Sequence, residues 1–179
     1  TVKLSPHADC CHFVSKRGAD QHRPLGLSER NILVVPNGVA FSSWQFSAEH
    51  RTRLREQLCF EPDDFVFGHM ARYHPMKDHS GLLHAFAAAL RRVPTLRLLM
   101  AGQGVVVQNP SLAALTDQLG VSRQVMLLGE LSDVREVLAA GDGFCLSSRW
   151  GEAFPNAVGE AMAMGLPAIS TDVGECRDI

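Results

Sequence analysis

The stretch FVFGHMARYHPMKDHSGLLHAFAAALRRVPTLRLLMAG, residues 65–102, decides the fold. It opens with an apolar run without alternation, FVFGHM (65–70), which predicts a strand buried on both faces. A helical pattern follows, with Asp78 as N-cap and Pro94 closing the segment, and its apolar residues recur at helical spacing: Leu82, Leu83, Phe86 and Leu90. A second apolar run, LRLLMAG (96–102), completes a strand–helix–strand unit, which is typical of parallel sheets.

The same alternation continues along the rest of the chain. Further apolar runs are VMLLG (125–129), FCLS (144–147) and PAIST (167–171). The helical patterns between them stop at glycines, and they place apolar residues at helical spacing: Leu112, Leu115 and Leu119 before Gly120; Val134, Val137 and Leu138 before Gly141; Val158, Ala161 and Met162 before Gly165. The sequence therefore predicts an α/β fold, a doubly wound parallel sheet flanked by helices.

The composition argues against several classes of partner. The 179 residues carry a net charge of −2, which gives no reason to expect nucleic acid. No apolar run reaches the ~20 residues that a membrane span needs. The five cysteines form no C-x-x-C pair, so we expect no disulfide framework. We therefore expect the protein to reside in a reducing cytoplasm. Four histidines recur every five residues, at 69, 74, 79 and 84, but that step turns a helix by about 140°, so we expect no zinc site.

Residues 1–44 do not continue the series of strands and helices. ADCCHFVS and NILVVPNGV are predicted to be strands, with a polar segment between them and a turn at PNG (36–38). We interpret residues 1–44 as the tail of a preceding domain with a connector, and residues 45–179 as the domain built on the sheet. Because the chain lacks an initiator methionine and stops where another helix should begin, we expect it to be part of a longer gene product.

The loops at the carboxyl ends of the strands are where parallel sheets bind ligands. Arg72 and Lys77 follow the first strand of the sheet, and Pro155 fits the first position of the last helix. The free amides of Asn156 and Ala157 would then point at the same edge as the two cations. This combination predicts a site for an anion such as a diphosphate. The alternative is that both cations are solvated loop residues, as most arginines and lysines are.

Two carboxylates, Glu152 and Glu160, stand near this helix with seven residues between them. Glu152 lies in the loop before the helix and Glu160 in its second turn, so they do not share a helix face. Their separation of about 10 Å is too long for the carboxylate pair of a retaining glycosidase, but it suits two ends of one ligand. Glu160 could accept hydrogen bonds from ribose hydroxyls, with Glu152 nearer the reacting end; the alternative is that Glu160 is a surface residue.

One long motif, SSRWGEAFPNAVGEAMAMGLPAISTDVGE, closely resembles the E-x7-E region of the family 4 retaining glycosyltransferases, which have the GT-B fold. Other landmarks of that family occur in the same order: PNGV, GHMARYHPMKDHSGLLHAFA, AGQG and LGELSDVREVLAAGDGFCLSS. The resemblance covers nearly the whole chain. It implies the C-terminal, Rossmann-like half of a GT-B enzyme, which binds a UDP-sugar or GDP-sugar donor.

The resemblance also implies a role for each matching residue. The donor diphosphate is held by Arg72, Lys77, Asn156 and Ala157, and the ribose by Glu160. The donor sugar contacts the catalytic residue Glu152 with Ala153, Phe154 and Pro155, and the base lies against Gly129, Glu130 and Leu131. No metal and no cofactor are expected, because the chain has no D-x-D motif.

Three residues depart from the family pattern: Ala40 replaces an acid, Val105 replaces a proline, and Gly159 lies inside a helix, where it could allow close packing. We expect the full-length protein to transfer a sugar to a glycan or lipid-linked acceptor bound by an N-terminal domain, and this chain alone to be inactive. Peripheral association with the inner face of the cytoplasmic membrane is a further expectation. The alternatives are a nucleotide-binding module without transfer activity and a GT-B relative such as a sugar-nucleotide epimerase.

Overall fold

The structure is a computed structural model that describes residues 2–179. Its strands and α-helices follow in the order β1 (Cys11–Phe13), α1 (Lys16–His22), β2 (Ile32–Val34), α2 (Ala48–Gln57), β3 (Phe65–Met70), α3 (His79–Leu90), β4 (Leu96–Ala101), α4 (Pro110–Leu119), β5 (Val125–Gly129), α5 (Arg135–Ala140), β6 (Gly143–Leu146), α6 (Asn156–Ala163) and β7 (Ala168–Ser170). Short 3₁₀ turns lie at Val2–His7, Arg23–Leu25, Phe41–Ser43 and Pro75–Lys77. Within residues 2–179, no helix has the length and apolar character to cross a membrane.

Strands β3 to β7 form one parallel sheet of five strands in the order β5–β4–β3–β6–β7, which confirms the predicted fold class. β3 and β4 pair along their whole length, from Phe65 opposite Leu96 to Met70 opposite Ala101. The strand order reverses between β3 and β6, so the chain leaves these neighbours in opposite directions. The loops after β3 and β6 therefore border a crevice at the carboxyl edge, where open α/β sheets bind ligands.

Apolar side chains cover both faces of the sheet. Leu98 and Leu99 are adjacent in β4, so their side chains point to opposite faces, and both are fully buried. Leu98 packs in a cluster with Phe86 of α3, whereas Leu99 packs in a cluster with Leu54 of α2 and Val137 of α5. Burial on both faces explains why the apolar runs in the sequence lack alternation.

The helix boundaries mostly follow the predicted caps. Asp78 accepts a hydrogen bond from the Gly81 amide at 3.0 Å and caps α3. Gly120 ends α4 with a φ of 69°, a left-handed conformation that glycine adopts without strain. Helix α6 differs in one respect: Met162, predicted to lie on its apolar face, is 47% exposed, and Met164 is the buried methionine of that turn.

Helix α2, which the sequence analysis did not predict, is held largely by two arginines. Arg51 donates to carbonyl groups at the end of α5 and to Asp142 at 2.6 Å. Arg55 is buried and donates to the Ala140 carbonyl at 3.1 Å and to Asp142 at 3.3 Å. Cationic groups at the carboxyl end of a helix stabilise its free carbonyls. Leu54 is the buried apolar residue of α2, so apolar periodicity could not indicate this helix.

The N-terminal part of the chain forms a parallel pair of strands, β1 and β2, around a helix. Both strands were predicted, although each is shorter than its apolar stretch. The polar segment between them contains the unpredicted helix α1, which begins after Ser15, whose hydroxyl accepts from the Gly18 amide at 2.9 Å. Thr1 lies outside the described residues, and the assignment of residues 1–44 to a preceding domain stays a prediction.

Candidate functional site

Hydrogen bonds and an ion pair join the loop after β3 to the loop after β6. The Ser147 hydroxyl donates to the Lys77 carbonyl at 2.7 Å. The Arg149 amide donates to the Met76 carbonyl at 2.8 Å. The guanidinium of Arg149 also pairs with Asp78 at 2.7 Å. The two loops that border the crevice therefore form one connected wall.

At the centre of this wall, Lys77 and Glu152 form an ion pair. The ammonium of Lys77 donates to Oε1 of Glu152, and the two side chains are only 16% and 9% exposed. The Ser148 hydroxyl donates to the same carboxylate oxygen at 2.5 Å. The structure thus brings a residue predicted to bind a diphosphate into direct contact with one predicted to bind a sugar.

Glycines let neighbouring loops approach this wall closely. Gly174, after β7, has a φ of 63°, and a Cβ on it would lie 1.8 Å from the Glu152 carbonyl oxygen. Gly102, in the AGQG loop after β4, has a φ of 144°, and a Cβ there would lie 2.2 Å from the Ala71 carbonyl oxygen. Both positions therefore require glycine, and both fix backbone beside predicted site residues.

Arg72 lies at the same edge of the sheet but is exposed. Its backbone is placed by its neighbours, because the Ala71 amide donates to the Ala101 carbonyl at 2.9 Å and the Tyr73 amide to the Gln103 carbonyl at 2.7 Å. Of the two cations predicted to bind the diphosphate, Arg72 is thus exposed and Lys77 is paired with an acid.

The start of α6 corrects two predictions. The helix begins at Asn156, because Pro155 has a ψ of 82°, outside the helical range, and so precedes the helix. The predicted free amide of Asn156 is also wrong, since that amide donates to the Phe154 carbonyl at 3.0 Å. Ala153 is exposed and Phe154 is half-buried in the loop that leads to the helix. The helix start therefore offers fewer free donors than the sequence suggested.

A cavity of ≈ 580 Å³ lies between the connector and α6. Cavities that bind small ligands typically measure about 300–1,000 Å³. This cavity is lined by Asn37, Gly38, Val39, Ala40, Ser43, Trp44, Asn156 and Glu160. The side-chain Nδ2 of Asn37 donates to Oδ1 of Asn156 at 2.9 Å. Glu160 is half-buried, and burial raises the pKa of its carboxyl group. A Cβ on Gly159 would lie 3.0 Å from Val39, which confirms that this glycine allows close packing of the connector.

A second cavity, of ≈ 320 Å³, lies beside the loop after β5. Both cavities are lined by Ser43 and Trp44, and the second is also lined by residues 132–134 of this loop and by Arg135 at the start of α5. This loop directly follows the predicted base-binding segment, in which Gly129 is buried, Glu130 is exposed and Leu131 is half-buried. The surface therefore runs from Glu160, past Trp44, toward the predicted base-binding segment.

The structure adds residues that the sequence analysis did not assign to the site. Asn37, Ser43 and Trp44 come from the connector, and Ser147 and Ser148 come from the loop after β6. The serines carried a usable signal, because two adjacent hydroxyls directly after a buried strand lie at the carboxyl edge of the sheet. The connector residues carried none beyond the PNG turn, because their contact with α6 depends on the folded chain.

Comparison with protein families gives a match over most of the chain. Residues 50–179 match the family described as glycosyl transferases group 1. EpsD of Bacillus subtilis, which is named as a glycosyltransferase, is 30% identical over 183 residues, which cover 98% of this chain and 46% of EpsD. An Escherichia coli UDP-Gal:alpha-D-GlcNAc-diphosphoundecaprenol alpha-1,3-galactosyltransferase is 27% identical over 154 residues, which cover 84% of this chain and 39% of that enzyme.

Solved structures share the fold. HepE of Anabaena, in complex with UDP-glucose, superposes with a TM-score of 0.87 at 24% identity, over 98% of this chain and 48% of HepE. Sucrose-phosphate synthase of Thermosynechococcus elongatus superposes with a TM-score of 0.81 at 20% identity, over 99% of this chain and 44% of the synthase. The chain spans about half the length, or less, of the proteins that it matches.

Proposed function

The chain belongs to the group 1 glycosyl transferases, and on that premise we propose that it forms the donor-binding half of a family 4 retaining glycosyltransferase. The observation that carries the proposal is the Lys77–Glu152 ion pair at the crevice between β3 and β6. A cation beside an acid suits a donor whose diphosphate is joined to a sugar, because phosphate oxygens accept from the cation and sugar hydroxyls donate to the acid.

In this proposal, Lys77 and the exposed Arg72 hold the donor diphosphate. Transfer breaks the bond between the sugar and the diphosphate, so negative charge develops on the leaving phosphate oxygens. Fixed cations stabilise that charge more in the transition state than in the bound donor, which lowers the barrier. Two cations at the crevice supply this stabilisation without a divalent ion, and no metal or cofactor is part of the proposal.

The remaining residues hold the two ends of the donor. Glu160 accepts from the ribose hydroxyls in the cavity next to the connector, and the base lies against Gly129, Glu130 and Leu131. Glu152 contacts the donor sugar with Ala153, Phe154 and Pro155. Since the Asn156 amide is already bonded, Asn156 contributes its side chain and Ala157 its amide to the diphosphate end.

We propose uridine as the base of the donor. HepE was crystallised with UDP-glucose, and the Escherichia coli relative is named for a UDP-Gal donor and a lipid-diphosphate acceptor. A GDP-sugar is the alternative, and a parallel titration with UDP and GDP distinguishes the two. The acceptor of the full-length protein is proposed to be a glycan or a lipid-linked glycan at the cytoplasmic face of the membrane.

Replacing Glu160 or Glu152 with alanine separates the two ends of the proposed site. Glu160→Ala should weaken binding of UDP and of UDP-glucose alike, roughly 10- to 150-fold, because it removes charged acceptors of ribose hydroxyls. Glu152→Ala should spare UDP and weaken only UDP-glucose. Calorimetric titration of each variant with both ligands measures this, with the exposed Glu56→Ala as a control that should bind as the unsubstituted chain does. Equal UDP affinity in all the variants would remove the basis for assigning Glu160 to the ribose.

A further inference from the structure

We infer that Ser148 is a positioning residue that holds the Glu152 carboxylate in the orientation in which it receives the donor sugar. The inference rests on the proposed function, since it assigns Glu152 to the sugar. In this inference, Ser148 does not touch the donor and acts only through Glu152.

Ser148 is held firmly in place. It lies just after β6 and is 0% exposed. Its hydroxyl donates to Oε1 of Glu152 at 2.5 Å, and its carbonyl accepts from the Thr171 hydroxyl at 2.6 Å. Thr171 directly follows β7, so the backbone of Ser148 is fixed by the neighbouring strand of the same sheet. A donor held in this way sets the position of the acceptor to which it donates.

Both donors to Glu152 use the same carboxylate oxygen. Lys77 and Ser148 each donate to Oε1, and within residues 2–179 no hydrogen bond reaches Oε2. A carboxylate accepts at about four positions over its two oxygens. Fixing Oε1 from two directions therefore orients the group and leaves Oε2 with its full capacity to accept from sugar hydroxyls.

Lys77 alone could not serve this purpose in the proposed complex. Its ammonium has three donors, and the diphosphate would compete with Glu152 for them. Ser148 carries no charge and has no role toward the phosphates, so its hydrogen bond to Glu152 persists when Lys77 turns to the diphosphate. The uncharged tether keeps Glu152 in place while the cation is shared.

The adjacent serine serves the other member of the pair. The Ser147 hydroxyl donates to the Lys77 carbonyl, and within residues 2–179 no hydrogen bond joins it to Glu152. Neighbouring hydroxyls thus hold the backbone of the cation and the carboxylate of the acid. This division makes Ser147 a useful contrast, since its loss should affect the diphosphate end and not the sugar end.

Titrations of Ser148→Ala with UDP and with UDP-glucose test the inference. Ser148→Ala should leave UDP affinity unchanged and weaken UDP-glucose binding roughly tenfold, because a hydrogen bond to a charged group is lost. Ser147→Ala should weaken both ligands to the same degree. Ser170→Ala is the matched control, because the Ser170 hydroxyl donates only to the Thr171 carbonyl, and it should change neither affinity.

A double-mutant cycle separates positioning from a structural role. In a Glu152→Ala background, adding Ser148→Ala should change UDP-glucose affinity no further, since the carboxylate through which Ser148 acts is already absent. If Ser148 were merely structural, its substitution would weaken UDP binding as well, and it would still weaken UDP-glucose binding in that background. Either result would overturn the inference. If the unsubstituted chain binds UDP-glucose and Ser148→Ala binds it equally well, the inference alone fails. If the unsubstituted chain binds neither ligand, the proposed function fails with it.

Discussion

Replacing Lys77 with alanine is expected to weaken UDP binding 10- to 150-fold, because the side chain donates charged hydrogen bonds worth about 1.5–3 kcal/mol to the diphosphate. It is also expected to destabilise the chain. Lys77 and Glu152 are 16% and 9% exposed, so the substitution leaves the Glu152 carboxylate mostly buried without its cation. Breaking a buried pair costs about 3–5 kcal/mol, and the residual exposure here places the expected loss near the lower figure.

Two further variants separate the loss of binding from the loss of stability. Adding Glu152→Gln to Lys77→Ala removes the unpaired charge, so it should restore part of the unfolding free energy without restoring UDP affinity. Lys16→Ala is the control, because Lys16 is 83% exposed and lies 3.9 Å from Asp20, a geometry that contributes little. Urea unfolding and calorimetry measure the two effects. A Lys77→Ala variant that keeps full UDP affinity would exclude Lys77 from the diphosphate site.

Stability is expected to fall as the pH drops from about 6.5 to 4, because of a buried histidine in β3. The pKa of His69 is lowered from 6.5 to about 4, chiefly because the side chain is fully buried. The hydrogen bond with the Cys145 carbonyl raises the pKa, whereas the charges of His79 and Lys77 contribute to lowering it. Between these values the unfolded chain binds a proton that the folded chain does not, so protonation favours unfolding. At about 1.4 kcal/mol per pH unit, the loss amounts to at most about 3 kcal/mol.

A phenylalanine at this position isolates the contribution of His69. The His69→Phe variant should lose less stability than the unsubstituted chain between pH 6.5 and 4, whatever its stability at neutral pH. His84→Phe should keep the original pH dependence, because His84 is exposed on α3. Urea unfolding at a series of pH values provides the comparison, and the difference between variants removes the contribution of the carboxylates. Parallel pH profiles in His69→Phe and the unsubstituted chain would contradict the account.

The central strands β3, β4 and β6 could be predicted because they are largely buried on both faces and therefore leave unbroken apolar runs. The edge strand β7 differs, since Ile169 is 62% exposed. Helix α2 could not be predicted in this way, since it is held by Arg51 and Arg55 and buries little apolar surface. The same limit applies to α1, whose polar sequence carries no period. Patterns of hydrophobicity indicate elements that pack through apolar faces, and they do not indicate elements that pack through charge.

The candidate site shows a similar division. Lys77 and Glu152 were each identifiable as ligand residues, but their ion pair depends on β3 and β6 being neighbours, which the order of the apolar runs does not reveal. The cavity beside Glu160 likewise depends on the connector folding back against α6. The start of α6 was predicted one residue early, because the sequence does not show that the Pro155 backbone leaves the helical region.

The most direct test of the central claim is to map UDP-glucose binding on the chain by ¹H–¹⁵N NMR in the presence of EDTA. We expect saturable shifts in the loop 72–78, in the segment 129–131 and in residues 147–160, with no need for a divalent ion. Shifts confined to other surfaces, or binding that EDTA abolishes, would contradict a metal-free donor site at the crevice between β3 and β6.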